Sequence, residues 1–94
     1  MSLQQASTAL WLATVSLMTA FMHTSAPAHR YLLARRIARN LDTLGGQECF
    51  APGTRETFAR LSRRWHGRAE KLSPTPAAPV GFLGRLQRVF ARSS

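Results

Sequence analysis

Residues 9–22 read ALWLATVSLMTAFM, an apolar run without a single charge. The first 29 residues hold no Asp, Glu, Lys or Arg, whereas residues 30–94 hold all 13 basic and all 4 acidic side chains. The apolar core runs from Ala6 to Met22, and the weakly polar flanks Leu3–Thr8 and His23–Ser25 extend it. The result is a helix of about 20 residues, which at about 1.5 Å per residue spans about 30 Å of hydrocarbon. Ser7, Thr8, Thr14, Ser16 and Thr19 dilute the run. They are tolerable in lipid because a helical hydroxyl can donate to the carbonyl four residues back.

The small residues of this helix are ordered. Ala6, Ala13 and Ala20 recur every seven positions, with Ala9 and Ser16 on the adjacent row. A narrow seam of small side chains lets helix backbones approach closely in lipid, so these five residues predict a packing seam for a second copy or a larger membrane partner. No basic residue precedes the helix, and Arg30, Arg35, Arg36 and Arg39 follow it. The positive-inside rule then predicts the N-terminus outside and the C-terminus in the cytoplasm, with a bacterial inner membrane the favoured setting.

Two other readings compete for the same stretch. Ala26-Pro27-Ala28 matches a small-x-small cleavage site, so a secreted protein cut near Ala28 is the alternative localisation; the uncharged start MSLQQ and the arginines just past the cut oppose it. A core helix of a soluble protein would need more surrounding apolar chain than the Arg-rich remainder offers.

Past Pro27 the pattern becomes amphipathic. Leu33, Ile37, Leu41 and Leu44 recur on one face, with Arg35, Arg36 and Arg39 opposite and Gly45-Gly46 as a stop. Thr24 or Ser25 is the expected cap. After the turn Gln47–Gly53, a second helix is expected from near Thr54. Its stripe is Phe58, Leu61, Trp65, Ala69 and Leu72, with Arg60, Arg63, Arg64, Arg68 and Lys71 across from it, and Glu56/Arg60 is its expected ion pair. Residues 73–79, SPTPAAP, form a proline-rich linker. Residues 80–94 place Phe82, Leu86 and Phe90 against Arg85, Arg88 and Arg92.

The expected class is therefore all-α: a transmembrane segment (residues 1–27, core 6–22), a basic helical hairpin (28–72), the linker, and a C-terminal basic amphipathic segment, without a compact independent domain being assured. The Arg rows predict contact with an anionic surface, while the apolar stripes suit either the headgroup region or packing of the hairpin on itself.

No catalytic or metal-binding pattern emerges. His66/Glu70 is the one helical pair of potential ligands and reads as a weak surface contact; His23 reads as an interfacial side chain; Cys49 has no second Cys. No phosphate loop or nucleophile elbow occurs, and no cofactor is implied. The function expected is that of a non-catalytic accessory, assembly or scaffolding subunit in a membrane complex. The alternatives are a nucleic-acid-binding basic protein, which a net charge of +9 allows but the absence of an aromatic platform disfavours, and a small membrane-perturbing toxin or lysis peptide.

Overall fold

The computed structural model describes residues 2–74, which form three α-helices and no strand: α1 (Leu3–His23), α2 (Pro27–Gly45) and α3 (Pro52–Leu72). The expected linker beyond Pro74 and the C-terminal segment with Phe82, Arg85, Leu86, Arg88, Phe90 and Arg92 lie outside the described residues.

Local chemistry sets the helix ends. Ser2 and Gln5 form a capping box: the Ser2 hydroxyl accepts from the Gln5 amide at 3.1 Å, and Gln5 Oε1 accepts from the Ser2 amide at 3.0 Å. The starts of α2 and α3 depart from expectation. The N-caps are Ala26 and Ala51, neither with a side-chain cap, and each helix begins on a proline. Pro27 and Pro52 supply a helix-ready φ where a missing amide costs nothing, which is why α3 starts two residues before Thr54 and why Thr24 and Ser25 are not needed as caps. Gly46 closes α2 as its C-cap.

The helices α2 and α3 run antiparallel and make the closest pairing. Ala34, Ile37, Leu41 and Leu44 of α2, all wholly buried, share one core with Phe58 and Ala69 of α3 and Phe21 of α1, and Ala38 and Ser62 are buried as well. Alternating small and large side chains allow this approach: an added Cβ at Gly45 would stand 3.5 Å from the backbone of Ala59. Across the middle of the pair, the Ser62 hydroxyl donates to Asp42 Oδ1, and His66 Nε2 lies 2.8 Å from Asp42 Oδ2.

The helix α1 lies along this hairpin, in the same direction as α3, but more loosely. No Cα of α1 comes within 8 Å of one in α3. Aromatic rings fill the gap: Trp11 meets Phe58 edge-on at 5.2 Å between centroids, and Phe21 meets Trp65 at 5.0 Å. The packed stripe of α1 is Ser7, Leu10, Trp11, Thr14, Leu17, Met18 and Phe21, a helical repeat in which Ser7, Thr14 and Phe21 are buried. A helix apolar on all sides thus needs only one side covered here.

Candidate membrane and docking surfaces

The chemistry of α1 suits a low-dielectric setting. Thr14, Ser16, Thr19 and Thr24 each donate their hydroxyl to the carbonyl four residues back, at 2.7, 3.1, 3.2 and 2.6 Å. No hydroxyl among these four is left to seek water, which removes a desolvation cost of a few kcal/mol each. The end of α1 is closed from a distance. Arg30 Nη1 donates to the carbonyls of Phe21 and Thr24, both at 2.9 Å, and its guanidinium carbon lies 3.9 Å above the centre of the Phe21 ring. A fixed cation there complements the negative end of the helix dipole and gives the Thr24 carbonyl a partner and the Phe21 carbonyl a second one beside the Thr24 amide.

The five seam residues Ala6, Ala9, Ala13, Ser16 and Ala20 are all exposed, on the side of α1 turned away from the hairpin. Leu12, Val15 and Met22 are exposed beside them, at 61%, 39% and 79%. The surface of α1 not covered by the chain is therefore uncharged from end to end.

The arginines of the hairpin divide into two rows. Arg35, Arg36 and Arg39 are exposed on α2; Arg60, Arg63, Arg64, Arg68 and Lys71 are exposed on α3. Arg35 donates to the Tyr31 hydroxyl at 3.3 Å, and the Arg68 guanidinium carbon lies 4.9 Å from the centre of the Trp65 ring. The carboxylates engage differently from expectation. Glu56 reaches Arg63 at 4.0 Å rather than Arg60, and His66 turns to Asp42 across the hairpin rather than to Glu70 along its own helix. Of the apolar face expected on α3, Phe58 is buried and Leu61, Trp65 and Leu72 are half-buried, all packed on the common core.

The cluster Asp42–Ser62–His66 joins a hydroxyl, a carboxylate and an imidazole, but the carboxylate sits in the middle. Ser62 gives its proton towards Asp42, so the imidazole is not placed to take it, and nucleophile activation needs the reverse order. The hydrogen bond from Ser62 holds the Asp42 carboxyl below its ordinary pKa, burial opposes this, and His66 adds to it by hydrogen bond and charge. The cluster ties α2 to α3. Among the described residues, no group of three or more His, Cys, Asp or Glu is placed to hold a metal ion. Cys49 is exposed and unpaired with another Cys.

Sequence reasoning missed Arg30, whose contacts lie six and nine residues back, and Asp42, whose partners lie 20 and 24 residues ahead. Pro27 offered a signal for the first: a break after α1 brings the next basic side chain back over the helix end.

Comparison with known proteins finds no matching family model, no matching curated protein and no matching solved structure. Fold and surface define a class all the same: a small all-helical chain whose N-terminal helix α1 is long and apolar enough, by length and composition, to cross a membrane.

Proposed function

We propose that this chain is a non-catalytic, single-pass membrane protein that serves as an accessory, assembly or scaffolding subunit of a membrane complex. The observation that carries the reading is α1, 21 residues without Asp, Glu, Lys or Arg, the hydroxyls of Thr14, Ser16 and Thr19 satisfied within the helix and its outer face uncovered. In the spanning state Leu3–His23 lies in the bilayer with Ser2 outside, and the arginines from Arg30 onward keep α2 and α3 in the cytoplasm. Crossing requires α1 to leave the hairpin, because Arg35, Arg36 and Arg39 on α2 cannot follow it into hydrocarbon. The short joint of residues 24–26 and the closer pairing of α2 with α3 favour that parting. The seam Ala6, Ala9, Ala13, Ser16 and Ala20 then docks α1 on a second copy or a larger partner, and the Arg rows engage anionic lipid or an acidic surface.

Membrane fractionation of the full chain carrying a C-terminal tag tests this reading. The expected result is full-length protein in the pellet after high-salt and alkaline carbonate washes. Release by carbonate would show that α1 does not cross the bilayer. Replacing Ala13 and Ala20 by Leu is expected to break up a co-purifying complex without releasing the chain from the membrane.

A further inference from the structure

The two Arg rows are not equivalent, and helix geometry says which one accompanies α1. On α3, Ser62 and His66 face α2, since both meet Asp42. Phe58 and Trp65 face α1, since their rings meet Trp11 and Phe21. Continuing round α3 in that sense at 3.6 residues per turn, the next charged positions are Arg68 and then Arg64, both exposed, on the flank beyond α1. Arg68 already touches the ring that touches Phe21. The carboxylates fall on the other side: Glu70 lies one turn beyond His66, and Glu56 is paired with Arg63.

On α2 the order runs the opposite way. Arg30 faces α1, Ala38 and Asp42 face α3, and continuing in that sense brings Arg35 and then Arg39, pointing away from α1. On α1 itself, Trp11 marks the side towards α3. Met22, Val15 and Leu12 follow it round the helix onto the same flank as Arg68 and Arg64. Exposed apolar side chains and guanidinium groups without a carboxylate partner thus share one flank of the three-helix arrangement, with no carboxylate on α1 or on that side of α3.

We infer that the closed three-helix form docks on an anionic bilayer surface through its α1–α3 flank, with Leu12, Val15 and Met22 entering the headgroup boundary and Arg64 and Arg68 meeting lipid phosphates. This deepens the membrane reading above and rests on it: docking is the state from which α1 passes into the bilayer. The charge pattern favours a lipid surface over a nucleic acid, because the guanidinium groups border an apolar row and not a groove or a stacking platform.

A charge-matched pair of variants in the full-length chain tests the orientation. Arg64→Gln/Arg68→Gln and Arg35→Gln/Arg39→Gln each remove two exposed charges and leave the same net charge. Binding is measured on vesicles of phosphatidylglycerol and phosphatidylcholine and on vesicles of phosphatidylcholine alone, with circular dichroism to verify helix content. The Arg64/Arg68 variant is expected to lose about 30-fold in affinity for the anionic vesicles, from about 1 kcal/mol for each guanidinium. The Arg35/Arg39 variant is expected to stay within about threefold of the parent. Equal losses would reduce the effect to net charge and overturn the proposal. Equal binding of the parent to both vesicle types, or tighter binding to a DNA duplex than to anionic vesicles, would also overturn it. A chain that docks with this asymmetry yet is released by carbonate retains the docking surface and loses the span, so the two readings fail separately.

Discussion

The contact between α2 and α3 and the contact between α1 and that hairpin are built from different materials. The first is the closer pairing and is crossed by a hydroxyl–carboxylate–imidazole tie. The second sets ring edges between α1 and α3, brings α1 against α2 directly, leaves most of α1 uncovered, and closes with one arginine over the helix end. Packing carries stability in proportion to the surface it removes from water, and the pairing of α2 with α3 is the closer of the two. On that contrast the hairpin is expected to be the fixed part of the molecule and α1 the part that a second apolar environment can receive.

The strongest way to break that contrast is inside the hairpin. Leu41→Ala removes a wholly buried α2 side chain from the common core and is expected to cost about 2–5 kcal/mol, a large share of the stability of so small a chain. Urea denaturation followed by circular dichroism should show the transition of the entire hairpin moving to lower denaturant. A loss confined to α1 would contradict the ranking of the two contacts.

A smaller effect is expected at the joint. Arg30→Ala removes two hydrogen bonds to carbonyls and the stacking on Phe21, for about 1.5–3 kcal/mol, all of it on the α1 side. Amide hydrogen exchange should speed up across residues 10–23 while residues 34–44 keep their protection. If exchange rises equally in both, α1 and the hairpin unfold as one unit and the distinction between them fails.

Much of the hairpin is legible in the amino-acid pattern alone. The stripes of Leu33, Ile37, Leu41 and Leu44 and of Phe58, Leu61, Trp65, Ala69 and Leu72 repeat with the helical period, so their inward side is readable from sequence, and Gly45-Gly46 marks the turn. The length of α1 is readable as well, because a run free of charge needs no partner to define it. Its packed side is not. Leu10, Trp11, Leu17 and Met18 are no more apolar than Leu12, Val15 and Met22, so no periodicity separates the covered side from the open one. His66 is visible beside Glu70, four residues on, but its pairing with Asp42 depends on the antiparallel register, which local spacing does not contain. The proline starts of α2 and α3 show a further limit: Ser, Thr and Asn are the readable caps, and here proline at the first position displaces them.

Gly67 sharpens the comparison from the stabilising side. It lies within α3, and an added Cβ would meet nothing within 4 Å. Gly67→Ala should therefore stabilise the hairpin by about 0.5–1 kcal/mol, through helix propensity and a less flexible unfolded chain. The midpoint of hairpin unfolding should rise while exchange in α1 relative to the hairpin becomes faster or stays the same. A fall in stability would mean that α3 needs a backbone approach at this position.

Acid separates the two contacts by the sign of a single titration. Asp42 has its pKa lowered in the folded chain, first by the Ser62 hydroxyl and then by His66, so the folded form binds the proton less readily than the unfolded form. A depressed carboxyl contributes stability above its unfolded pKa, and that contribution disappears as the pH falls from the ordinary value of 3.8 through the lowered folded value. Asp42 and His66 are about half exposed, at 55% and 50%, so solvent screening keeps the effect under about 1 kcal/mol. The α1 contact contains rings, aliphatic side chains and an arginine but no carboxyl, so it has no matching acid step. Denaturation of the parent between pH 5 and about pH 2 should therefore show the hairpin weakening, and Asp42→Asn should flatten that slope after an initial loss at neutral pH. If the slope survives in Asp42→Asn, the acid sensitivity comes from another carboxyl, and the tie across α2 and α3 adds no pH dependence to the difference between the two contacts.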